Sequence, residues 1–175
     1  MSNHHNLFFF FNHYRFESSL VDNLNAEISL GTVTNVDEGV RWLGYTYLFV
    51  RMKRNPLTYG IKRDELVEDS ELGQRRRDLI VRAAKELHES KMINYHKETE
   101  YFTIKDIGRI ASNYYISHKS IDIFNQKLKD RMKEADILSL ISESSEFEDL
   151  KSREEEFKEL EDLKKGSCFC DFKVY

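Results

Sequence analysis

Apolar residues recur along this chain at helical spacing through most of its length and alternate in a strand-like way in one stretch. Leu20, Leu24 and Ile28 lie four residues apart and predict a helix over 17–30, with Gly31 placed to stop it. A second helix is expected from about Asn35 to the residues before Pro56. Asn35 and Glu38 have the spacing of a capping box, with Asn in place of Ser or Thr. Val36, Val40, Leu43, Tyr47 and Val50 would form its buried stripe. Residues 57–73 read as a polar connection. A third helix is predicted from Gln74 to Ser90, with Ile80, Ala83, Ala84 and Leu87 inward. Met92–His96 and Tyr101–Ile104, joined by Lys97-Glu98-Thr99-Glu100, read as a β-hairpin without an Asn-Gly or Asp-Gly turn. Helical stripes then resume: Ile107, Ile110, Ala111, Tyr114 and Tyr115; Ile121, Phe124 and Leu128; Ala135 to Ile141; and Phe147 to Leu163. In the acidic last helix only Phe157, Leu160 and Leu163 are left to pack.

Helices followed by a two-stranded hairpin are the parts of a winged helix. The expected fold class is mostly α with a small β-hairpin: a winged helix, then a partial helical bundle. Composition agrees. The 175 residues are 33% charged and 40% hydrophobic, with one proline and seven glycines. That excludes collagen-like, low-complexity and all-β chains. The net charge of −4 conceals two regions. Residues 51–87 carry ten Lys/Arg against seven Asp/Glu, and residues 143–162 carry ten Asp/Glu against three Lys/Arg.

A search for catalytic chemistry finds no motif. There is no phosphate-cradling Gly-x-x-x-x-Gly-Lys-Ser/Thr loop, no nucleophile elbow and no His-Glu-x-x-His zinc helix. His4, His5, His13, His88, His96 and His118 are scattered apart from the first pair. Cys168 and Cys170 complete neither a disulfide framework nor a metal site. The apolar run Leu7 to Phe11 is only five residues long, and no run approaches the ~20 apolar residues that a membrane helix needs. The candidate nucleic-acid contacts are Arg75, Arg76 and Arg77, with Arg82 and Lys85 further along the same helix. Cations at a helix start oppose the helix dipole, which points to a role outside the helix. The alternative is a solvated face paired with Glu71, Asp78 and Glu86. Tyr45, Tyr47, Tyr114 and Tyr115 have the chemistry to stack on bases. The position of Tyr47 and Tyr114 on apolar stripes assigns those two to the core.

Several words of the sequence are specific. Asn23-Leu24-Asn25-Ala26-Glu27-Ile28, Tyr45-x-Tyr47-Leu48-x-Val50-Arg51-Met52 and Asn55-Pro56-Leu57-x-Tyr59-Gly60 resemble the winged-helix region that follows the ATPase domains of large superfamily 2 helicases. That family includes the spliceosomal helicase that unwinds paired small nuclear RNAs and the helicase subunit of the activating signal cointegrator complex. Gly108-Arg109-Ile110-Ala111-Ser112-x-Tyr114-Tyr115-Ile116 resembles the first helix of the Sec-type helical bundle that comes next. Ser145-Glu146-Phe147 and Arg153-Glu154-Glu155-Glu156 resemble its following helices.

The resemblance implies a divergent segment at 1–16, a winged helix at 17–105, a partial bundle at 106–165 and a tail at 166–175. It implies an accessory region that braces ATPase lobes beside a threaded strand and has no catalysis of its own. The partners implied are those lobes, other helicase-complex subunits and RNA or DNA, with no membrane. ATP and magnesium would serve only a full-length parent, in the nucleus or cytoplasm. Both ends depart from the family pattern, which suggests a fragmentary or truncated gene product, or an incomplete gene model. The alternative function is a free-standing winged-helix module that binds a protein or a nucleic acid.

Overall fold

The computed structural model describes residues 19–148, 153 and 156–166. The phenylalanine run, His4, His5, His13, Cys168 and Cys170 lie outside the described residues, as do the side chains of Leu160 and Leu163. The chain divides into two compact units, Met1–His118 and Lys119–Tyr175.

In the first unit, α1 (19–30) buries Leu20, Val21, Leu24 and Ile28 and ends at Gly31 in the left-handed region, φ 78°. The second predicted helix is two helices, α2 (Val36–Gly44) and α3 (Tyr47–Arg54). Asn35 caps α2 by accepting the Glu38 N–H at 2.9 Å. The Glu38 carboxylate reaches one residue past the cap, to the N–H and hydroxyl of Thr34 at 2.8 and 2.7 Å. Thr46 separates α2 from α3: its hydroxyl donates to Leu43 O at 2.7 Å and caps α3 by accepting from Phe49 N–H. The break shifts the phase of the buried stripe. Leu48, Phe49 and Met52 face inward, whereas Tyr47 and Val50, expected in the core, are exposed.

The stretch 57–73 is more ordered than a polar connection. It contains the 3-10 turn η1 (Pro56–Tyr59) and α4 (Arg63–Glu68), and it buries Tyr59, Ile61 and Leu72. Helix α5 (Gly73–Glu89) buries Leu79, Ile80, Ala83, Ala84 and Leu87 and is the main partner of α2. Strands β1 (Ile93–His96) and β2 (Tyr101–Ile104) pair antiparallel, with Ile93 opposite Ile104 and His96 opposite Tyr101. In place of an Asn-Gly turn, Glu100 takes a left-handed φ of 57° and returns its N–H to His96 O at 2.7 Å. The lead into α2 lies along β2: Phe102 N–H donates to Thr34 O at 2.8 Å and Val36 N–H to Glu100 O at 3.0 Å. The wing is thereby fastened to the start of α2.

Of the predicted stripe, helix α6 (Asp106–Tyr114) turns inward Ala111 alone. Gly108 and Ala111 are buried; Ile107, Ile110 and Tyr114 are exposed, and Tyr115 leaves the helix at φ 57°. The cause is Gly108. A Cβ there would meet Met92 O at 2.3 Å, so only glycine lets the α6 backbone lie against the start of the hairpin. Asn25, buried on α1, donates its side-chain amide to Gly108 O at 2.8 Å. Asp22 accepts from both the backbone N–H (2.8 Å) and the ring Nδ1 (3.0 Å) of buried His118. The unit therefore closes by returning residues 108 and 118 to α1.

The second unit contains α7 (His118–Lys127), which begins on the last residue of the first unit, then α8 (Glu134–Ser142), η2 (Ser145–Phe147) and α9 (Phe157–Gly166). Phe147 ends a 3-10 turn and does not begin the last helix. Leu128 falls beyond α7 and is exposed. Ser120, fully buried, accepts the Ser145 N–H at 2.9 Å and bonds the Ser145 hydroxyl and the Glu146 carboxylate. These bonds fix the turn after α8. Of the apolar residues of α8, Leu140 is buried, and Ile137, Leu138 and Ile141 are exposed.

Candidate nucleic-acid interface

Helix α5 carries the five candidate cations at its start and along its outer side. Its first turn has no side-chain cap from Leu72, which sits at φ 50°. Asp69 serves from outside, accepting the Glu71 and Gln74 N–H groups, each at 3.2 Å. A carboxylate at that helix end satisfies orphan donors and complements the dipole.

The three consecutive arginines diverge to four hydrogen-bonding partners. Arg75 Nη2 donates to Tyr59 O at 3.2 Å, holding η1 against α5. Arg76 Nη1 donates to Val40 O at 3.0 Å, and its guanidinium lies 4.9 Å from the Phe49 ring centroid. A Cβ on Gly44 would come within 2.5 Å of that Nη1, so this glycine opens the path along α2. Arg77 bridges Asp37 on α2, at 2.9 Å, and both oxygens of Glu100 in the hairpin turn. Those carboxylates, Glu100 first and then Asp37, hold the Arg77 guanidinium above its ordinary pKa. The partners differ from the Glu71, Asp78 and Glu86 suggested by sequence proximity. Glu71 pairs with Lys53 at 2.7 Å, and Asp78 accepts from Gln74 at 2.8 Å. Arg82 and Lys85 are exposed.

Two of the four aromatic candidates reverse their expected placement. Tyr47 and Tyr114, assigned to the core by their stripes, are 66% and 74% exposed, and Tyr45 and Tyr115 exceed 90%. For Tyr47 the reason is the helix break at Thr46; for Tyr114 it is the inward Gly108 face. The signal for the first was present in the sequence, because Gly44-Tyr45-Thr46 places a small residue and a good N-cap within one turn. Elsewhere, burial raises the Tyr95 phenol, which packs on Phe102 at 5.6 Å between ring centroids. Two hydrogen bonds from Thr34, the hydroxyl first, lower the Glu38 carboxyl. Among the described residues no group of three His, Cys, Asp or Glu is placed to hold a metal ion, and no helix is long and apolar enough to cross a membrane.

A helical core closed by a two-stranded wing, followed by further helices, defines a winged-helix domain with a Sec63-type helical region after it. Residues 13–89 match the winged helix-turn-helix domain of the SNRNP200 type, and residues 104–174 match the Sec63 Brl domain. In this succession the chain is similar to the winged-helix and Sec63-type region of the helicase SLH1 and of activating signal cointegrator 1 complex subunit 3. It is 55% identical over 156 residues, 89% of its length, to the RQC trigger complex helicase SLH1 of Saccharomyces cerevisiae. It is 46% identical over 160 residues (91% of its length) to activating signal cointegrator 1 complex subunit 3 of Dictyostelium discoideum, and 45% over 154 residues (88%) to that of Homo sapiens. The chain spans only 7–8% of the length of these relatives.

Proposed function

We propose that these residues are the accessory region of an ATP-dependent nucleic-acid helicase, which braces the ATPase lobes and flanks the threaded strand without catalysis of its own. The observation that carries the reading is the succession of two family matches, winged helix then Sec63-type, in one chain whose relatives are named as helicases. In this reading the winged helix occupies 17–105 and the partial bundle 106–165. ATP and magnesium belong to the lobes, and the setting is intracellular. Arg75, Arg76 and Arg77 act first as internal struts, and Arg82 and Lys85 are the cations of α5 that remain turned to solvent.

The test is a transplant. In the yeast relative, the matching stretch is deleted or replaced by this chain, and unwinding of a tailed duplex is measured. The expected result is loss of unwinding on deletion and recovery on replacement, with no ATP hydrolysis by the chain alone. Full unwinding by the deletion variant would overturn the bracing role.

A further inference from the structure

Between Gly39 and Gly60 the chain carries Arg41, Arg51, Lys53 and Arg54 and no Asp or Glu. The same stretch holds Trp42, Tyr45, Tyr47, Phe49 and Tyr59. The fold buries Phe49 and Tyr59 and leaves Tyr45 and Tyr47 projecting at the α2–α3 corner, 92% and 66% exposed. On α3, Tyr47, Val50, Arg51 and Arg54 follow the i, i+3, i+4, i+7 spacing of one face, away from buried Leu48, Phe49 and Met52. The Arg51 guanidinium lies over the Tyr47 ring, 5.9 Å from its centroid. Arg41 stands one turn before Tyr45 on α2 and meets Glu38 at 3.9 Å. Lys53 is engaged by Glu71 and the Phe49 ring, so it belongs to the packing.

Soluble surfaces usually interleave both signs of charge. Here the α2–α3 corner combines projecting aromatic rings with arginines; residues 40–59 contain no carboxylate, and Glu38, just before them, pairs with Arg41. Aromatic faces accept any base, and arginines beside them neutralise phosphates. We infer that the α2–α3 corner is a binding face for single-stranded nucleic acid, with Tyr45 and Tyr47 stacking on bases and Arg41, Arg51 and Arg54 taking adjacent phosphates. Its residues are other than the arginines at the start of α5. The inference rests on the proposed function only in taking a strand as the ligand. Binding here is sequence-tolerant, because stacking and phosphate contacts read no base edge.

The experiment measures fluorescence anisotropy of the 175-residue chain with a labelled RNA strand of about 12 nucleotides, across a salt series. Tyr45→Ala with Tyr47→Ala should weaken binding at least about fivefold, and the paired Tyr→Phe changes should stay within about twofold. An abasic strand should lose as much as the alanine pair. Arg51→Gln with Arg54→Gln should flatten the log–log salt slope by about 1.4. Circular dichroism melts establish that each variant is folded. Three results overturn the inference: no salt-sensitive binding by the folded chain, equal binding of the abasic strand, or alanine variants that bind as well as the parent. A negative unwinding transplant accompanied by strand binding that the tyrosines control would sink the bracing role alone.

Discussion

A missing Cβ fixes where α6 sits. Gly108→Ala would drive a methyl into Met92 O and the Asn25 side chain, and it should cost about 1–3 kcal/mol in denaturant unfolding. Asn25→Leu removes the donor to buried Gly108 O and should cost a similar amount, about 1–3 kcal/mol. The Arg75-Arg76-Arg77 run was visible in the sequence as a basic cluster; its partners were not. Tyr59 O, Val40 O, Asp37 and Glu100 are separated from these arginines by 16 to 40 positions, and only the packing of α2 and the hairpin on α5 unites them. Neutralising all three arginines should therefore lower the melting temperature, besides any effect on a ligand. Two titrating residues give opposite signs. The folded pKa of Glu38 lies below its unfolded value, so its contribution is complete above the ordinary glutamate pKa and is lost as pH falls through the folded value. The folded pKa of Tyr95 lies above its unfolded value, so its contribution holds below about pH 10 and fades as pH rises through the folded value. Urea midpoints of Glu38→Gln and Tyr95→Phe against the parent, in acid and in alkali, check each direction.

At the scale of elements, the α5 stripe and the hairpin were legible because periodicity and β-forming residues agreed there over a full element. The α2–α3 region is less legible because its apolar spacing continues unbroken through Thr46, whereas the helix is interrupted at that residue. Hydrophobic period registers the residues that pack and is blind to a cap that restarts the helix. Thr46→Ala should cost about 1 kcal/mol, read by urea unfolding, because it removes both the Leu43 bond and the α3 cap. The α6 face was misread for a complementary reason. A hydropathy stripe gives glycine no weight, although Gly108 marks the closest approach in that helix. Among the four tyrosines, stacking chemistry was evident from residue type, but exposure depended on these two phase errors.

Over the whole molecule, apolar side chains remain open on both units: Ile107, Ile110 and Tyr114 on α6, and Ile137, Leu138 and Ile141 on α8. Helix faces of this kind favour association. The isolated chain should show concentration-dependent light scattering, and Ile137→Glu with Leu138→Glu should reduce it without lowering the melting temperature. The ties from α1 to the far end of the first unit have another consequence. Asn25 and Asp22 reach partners 83 and 96 positions downstream, past the last residue of the winged-helix match and into the Sec63 match. A recombination joint placed between residues 89 and 104 would give one descendant a buried amide and a carboxylate with nothing to hold, and the other a helix without its seat. The two modules, though matched separately, keep these bonds only when they stay together.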